Sequence, residues 1–178
     1  TPWEYGVNAN LNYRKSGDAL IWNSEDEGYV PLDSSSTITE ANFVYVDPFV
    51  IWRNGRWKHQ LKGRFMTNRN TSRSETNVYD NSFDTYFTEY QAQYFLNEDF
   101  ALTGGWVNQW VQSIAELFQG EHSSYNLAGY LQLDKKFGKL NFSLGGRYEY
   151  FRLDDDTYAQ PVLRSEVNYA IGRTSFLR

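Results

Sequence analysis

The chain contains no cysteine. Disulfide staples, thiolate nucleophiles and cysteine-based zinc sites are therefore closed to it. Histidine is almost missing as well. His59 and His122 are the only two, and neither has a partner at ligand spacing, so no metal or other cofactor is expected. No stretch approaches 18 consecutive apolar residues, which excludes a transmembrane helix. A transmembrane strand remains open, because it needs only about 9–11 residues in alternation. Positive charge is in the minority, with 17 Lys and Arg against 22 Asp and Glu and a net charge of -5. That argues against a nucleic-acid partner, which requires a basic footprint. The glycine pairs in "TGGWV" and "GGRYE" lack the spacing of phosphate loops. No carboxylate pair or Ser-His-Asp arrangement stands out, so the chain is not expected to be an enzyme. It opens "TPWEYG", without Met or signal peptide, which reads as a processed chain or an internal piece of a longer one.

Aromatic residues are abundant, at 18%, with 14 Tyr, 12 Phe and 6 Trp. Mean hydropathy is nevertheless low, at -0.66. Disordered chains are poor in aromatics, whereas strands favour them. Period-two alternation recurs along the chain. In 3–14, Trp3, Tyr5, Val7, Ala9, Leu11 and Tyr13 oppose Glu4, Asn8, Asn10, Asn12 and Arg14. Further strands are predicted over 42–53 (interrupted by Pro48), 57–68, 83–95, 100–112, 125–137, 140–153 and 161–171, with "TSFLR" beginning a ninth. Only "WVQSIAELF" at 110–118 carries a weak helical period.

The predicted connections alternate in length. Short turns fall near 54–55, 97–98, 138 and 172, and long polar loops near 15–41, 69–82, 113–124 and 154–160. An up-and-down meander puts all short turns at one end, as outer-membrane barrels do. The strands, at about 11–13 residues, exceed the usual globular length. Aromatics gather near strand ends, and one face of the strands carries Lys62, Arg64, Glu89, Arg147, Glu149, Arg164 and Glu166 in mid-strand. These ionisable side chains suit a wet lumen, with the opposite, nearly uncharged face towards lipid. Arg147 and Glu149, two apart on one face, are placed to pair. The expected fold is all-β: an antiparallel up-and-down meander of about eight strands plus the start of a ninth, forming part of a transmembrane β-barrel. The same alternation fits two alternatives, a soluble lipocalin-like ligand-binding barrel and a self-contained eight-stranded outer-membrane barrel with a structural or adhesive role.

"YGVNANLNYRKSGDALIWN", "YVDPFV", "NLAGYLQLDKKFGKLNFSLGGRYEYFRLD" and "PVLRSEVNYAIGRTSFLR" resemble the barrel of TonB-dependent outer-membrane receptors, in the flavour of the Bacteroidota group. The resemblance implies a bacterial outer-membrane location and import of a scarce nutrient such as a ferric siderophore, haem, cobalamin or glycan. It also implies partners: the lipid bilayer, the remaining strands and plug of the same receptor, the TonB complex acting through that plug, and an outer-membrane lipoprotein. Residues 1–178 then form a partial barrel domain, with the plug and remaining strands outside it. Ligand contacts are expected from loops on the rigid scaffold: Trp22, Glu25, Asp26 and Tyr29 in the first, Phe118, Glu121 and His122 in the third.

Overall fold

The computed structural model describes residues 1–19, 21–26, 30, 32, 36–116, 120–171 and 176–177. Tyr29 and Phe118, the turn near 172 and most of "TSFLR" lie outside them. Eight long strands follow one another: β1 (Trp3–Ala19), β2 (Ser36–Asn54), β3 (Trp57–Ser74), β4 (Val78–Asn97), β5 (Phe100–Ala115), β6 (Gly120–Phe137), β7 (Leu140–Leu153) and β8 (Asp156–Ala170). A two-residue β9 (Phe176–Leu177) pairs with β8. All nine lie in one antiparallel sheet in sequence order, and β1 forms one edge. A closed eight-stranded barrel would join β1 to β8. Here β8 pairs with β7 and β9.

Register aligns the alternation across strands. One row runs Tyr5–Val50–Leu61–Tyr90–Trp106–Gly129–Tyr148–Pro161, and its neighbour on the other face runs Phe49–Lys62–Glu89–Val107–Ala128–Glu149–Gln160. The four buried side chains, Ile51, Thr85, Thr103 and Ala128, all belong to the second, charged face. Large apolar side chains of the first face are open, with Tyr5 79% and Leu11 85% exposed. Side chains crowd on the concave side of a curved sheet, so the charged face is the inner one. Only glycine permits some of that crowding. The Phe49 ring covers Gly6, and the Tyr130 ring covers Gly105, where an added Cβ would lie 2.7 Å from Tyr130 Oη and 2.3 Å from the Tyr90 carbonyl oxygen.

The strands run from 14 residues in β7 to 20 in β4, longer than the alternation predicts. Three expected long loops therefore shrink: to Glu75–Asn77 between β3 and β4, to 116–119 between β5 and β6, and to Asp154–Asp155 between β7 and β8. "WVQSIAELF" is strand through Ala115, not helix. Beyond the apolar band both faces meet water, so no apolar alternation marks these extensions. Polar cross-strand contacts hold them instead: Lys15–Glu40 at 2.8 Å, Thr39–Ser72 at 3.0 Å and Thr71–Asp80 at 2.6 Å. At the opposite end three turns, Gly55–Arg56, Glu98–Asp99 and Gly138–Lys139, are two residues each. Gly55 and Gly138 take the left-handed conformation (φ 56° and 58°), as tight hairpin turns demand.

Because the backbone oxygen of Tyr90 cannot move aside, Gly105→Ala should destabilise the folded protein by about 1–3 kcal/mol. Gly129→Ala, with nothing within 4 Å of the new methyl, should stay within about 0.5 kcal/mol of the parent. Denaturant unfolding in lipid vesicles, followed by tryptophan fluorescence, compares the two.

Candidate functional site

The outer face is organised as a band between two aromatic margins. At the short-turn end Trp3 stacks on Trp52 (5.6 Å), Trp52 on His59 (4.9 Å), and Trp57 lies against both His59 (5.6 Å) and Tyr94 (4.8 Å). His59 sits inside this stack with Nδ1 2.8 Å from Tyr90 Oη, so its role there is structural. Nearby, the Lys135 ammonium rests over the rings of Phe100 and Phe137 at 5.7 and 5.5 Å. A lysine can keep its charge at a membrane interface in this way while its stem stays in the apolar layer. The far margin carries Phe65–Tyr86 at 5.2 Å and Tyr86–Trp110 at 5.3 Å. On β1 the band runs from Trp3 to Tyr13. At roughly 3.3 Å per residue and a tilt near 40°, that is about 25 Å of height, the apolar thickness a membrane barrel presents.

Lys62, Arg64, Glu89, Arg147, Glu149, Arg164 and Glu166 share one face of the sheet, opposite the exposed apolar one, and each has an ionic partner. Arg147 Nη2 lies 2.6 Å from Glu149 Oε1. Arg64 makes two bonds to Asp47, Nε–Oδ1 at 2.7 Å and Nη2–Oδ2 at 2.5 Å. Lys62 is 3.8 Å from Glu89, which also accepts a bond from Tyr130 Oη at 3.3 Å. Arg164 reaches Glu166 at 3.4 Å, and Asn168 donates to the same carboxylate at 2.7 Å. Between these pairs stand amides such as Asn8, Gln60, Gln91 and Gln109. A lipocalin-like barrel would crowd its apolar face inwards. Here that face is the exposed one, and the opposite face carries the paired charges.

The residues expected at the mouth do not form one cluster. Trp22, Glu25 and Asp26 lie in the connection between β1 and β2, all exposed. Two backbone bonds, Asn23 N to Val30 O (3.0 Å) and Leu32 N to Ile21 O (2.9 Å), fold that connection back on itself. Glu121 and His122 are not loop residues: both belong to β6, where the strand continues past the apolar pattern. Glu121 accepts from Gln112 at 2.9 Å, and His122 Nδ1 meets Asp154 Oδ2 at 2.8 Å. Alternation did not reveal the Asp47–Arg64 clamp or the aromatic stack around His59, because each depends on register between strands. Pro48 was the one signal near the clamp.

No protein-family model matches the chain. No curated protein sequence matches it either. Solved structures do match it in fold. The FrpB iron transporter from Neisseria meningitidis superposes with a TM-score of 0.76 at 10% identity, over 97% of this chain and 33% of its own. The ferric yersiniabactin uptake receptor FyuA from Yersinia pestis gives 0.62 at 11% identity, over 97% and 33%. The alcaligin outer-membrane receptor FauA from Bordetella pertussis gives 0.59 at 10% identity, over 95% and 31%. The chain thus spans about a third of the length of the structures it matches. At these identities the likeness is one of fold: a continuous run of wall strands.

Two expectations follow from the faces and the rim. Leu131, outward and 57% exposed in the middle of β6, should tolerate arginine poorly: Leu131→Arg should cost about 2–4 kcal/mol in lipid. Gln132→Arg, on the inner face, should cost far less, and vesicle unfolding distinguishes them. At the rim, the hydrogen bond from His122 and then that from the Ser123 backbone N–H hold the Asp154 carboxyl below its ordinary value. A depressed carboxyl stabilises the folded rim above the unfolded aspartate value and loses that contribution as pH falls through the folded one. The β7–β8 tip should therefore become protease-sensitive in acid, below about pH 4. In Asp154→Asn, which keeps the left-handed turn (φ 49°) but removes the charge, sensitivity should no longer depend on pH in that range. Limited proteolysis across pH reads both.

Proposed function

We propose that the chain is a stretch of wall in a TonB-dependent outer-membrane receptor that imports a scarce nutrient, with an iron chelate as the cargo. The observation that carries this reading is the inversion of the sheet. Its apolar side faces outwards between aromatic margins, and its charges are crowded and paired on the inside. The fold likeness to an iron transporter, a ferric yersiniabactin uptake receptor and an alcaligin receptor adds support and motivates the cargo class.

In this reading the outer face meets the lipid of a bacterial outer membrane and the remaining strands complete the wall. A plug from the same polypeptide fills the lumen. Trp22, Glu25 and Asp26 stand at the extracellular rim, where cargo is first met. TonB then supplies the energy to rearrange the plug, and the ion pairs of the inner face lower the charge that the moving cargo meets. No bond is made or broken in the cargo by any residue of the wall. An outer-membrane lipoprotein capping the rim is a further partner under the same reading.

The test is made in the source bacterium. An antibody against the wall should label the outer-membrane fraction, in a polypeptide several times heavier than 20.9 kDa. Deleting its gene should reduce uptake of radioactive iron chelates at limiting iron. Recovery in the soluble fraction, or a mature protein of this chain's own mass, overturns the proposal. Normal iron uptake with impaired uptake of haem, cobalamin or a glycan reassigns the cargo alone.

A further inference from the structure

We infer that a recess on the inner face between β2 and β4 selects the cargo: it is a site for an aromatic ring with oxygen on its edge, such as a phenolate or catecholate arm of an iron chelate. The inference deepens the receptor reading above and rests on it. The recess holds about 610 Å³, within the roughly 300–1,000 Å³ of ordinary small-molecule sites. Its apolar lining is Phe49 and Ile51 on β2, Met66 on β3 and Phe87 on β4. Ile51 is buried, and the other three are half-buried. All four share the face that carries Lys62, Arg64 and Glu89.

One glycine opens the recess. Gly6 on β1 has no side chain, and the Phe49 ring lies over it, where an added Cβ would meet ring carbons at 2.7 and 2.8 Å. The ring therefore leans towards β1, and the inner surface over β3 is left uncovered. On the outer face, rings stack on one another along the margins. Among the described residues, Phe49 and Phe87 have no such ring partner.

The polar groups of the recess are also unused. Gln60, Lys62 and Gln109 line it, and among the described residues their side chains make no hydrogen bond. Lys62 stands 3.8 Å from Glu89, beyond hydrogen-bond reach, so its ammonium keeps three free donors. Arg64, by contrast, is occupied by its two bonds to Asp47.

These two features together select the guest. An apolar lining with two ring side chains favours a flat apolar body. Two amides and an ammonium supply N–H donors to oxygen on the edge of that body. A purely aliphatic guest would cover those donors without satisfying them, which is unfavourable. A small anion would leave the rings bare. A phenolic or catecholic ring answers both demands, whereas a chelate built on aliphatic hydroxamates brings no ring.

The experiment measures uptake of two radioactive ferric chelates by iron-limited cells that carry the whole receptor. One chelate has catecholate or phenolate arms, and the other has aliphatic hydroxamate arms. The aryl chelate should enter several-fold faster. Phe87→Ala and Lys62→Gln should each slow its entry several-fold, with equal receptor in the outer membrane by antibody. Gln132→Ala, on the same face but outside the recess, should leave entry unchanged. Equal or faster entry of the hydroxamate chelate overturns the aryl assignment and leaves the receptor reading standing. Unchanged aryl uptake in Lys62→Gln, or equal slowing by Gln132→Ala, overturns the recess as the site. Entry of neither chelate overturns the iron reading and this inference with it.

Discussion

The whole architecture depends on the backbone ladder. Among the described residues this sheet has no second layer to pack against: its outer face is bare, and only Ile51, Thr85, Thr103 and Ala128 are buried on its inner one. Stability must come from an unbroken succession of strand-to-strand hydrogen bonds. In a hydrocarbon layer no water replaces a lost one, so each gap is costly. Many features of the sequence serve that ladder. Three turns at one end are two residues long, among the described residues the register slips only at the Phe95–Asn97 bulge, and glycines stand where the Phe49 and Tyr130 rings lie across neighbouring strands. Where Pro48 breaks the rule, a bidentate ion pair spans the same two strands.

The two faces solve opposite solvation problems with the same backbone. Outwards, side chains are graded by depth, with aromatic rings at the margins and aliphatic residues and glycine between. Inwards, four acids are matched to a base on their own or the next strand, through Asp47–Arg64, Glu89–Lys62, Glu149–Arg147 and Glu166–Arg164, while Asp134 accepts bonds from Gln132 and Ser143. Such partly exposed pairs add little stability individually. Their larger effect is local: each pair cancels most of its own charge on the inner face.

Much of this was legible in the sequence. Alternation assigned the faces of β3, β4, β6 and β7 and the proximity of Arg147 to Glu149, because a period of two is a local property. Strand ends were less legible. Once a strand leaves the apolar layer, serine, threonine and charged residues occupy both faces, and "NRNTSRSETNVYDN" looks like a loop although most of it is paired. Glu121 and His122 were misplaced for that reason. The stacked margin around His59 was invisible because it arises from the register between strands, which a period of two within one strand does not report.

The sequential order of the strands also bears on how such a wall is built. In the backbone ladder each strand pairs only with the strands made immediately before and after it, so no segment waits for a distant partner before it can pair. Contacts that are near in sequence are the ones that form quickly. Growth can proceed hairpin by hairpin, each finished pair presenting its free edge as the template for the next. The edge that leaves the isolated sheet vulnerable is then the same surface on which the wall is extended.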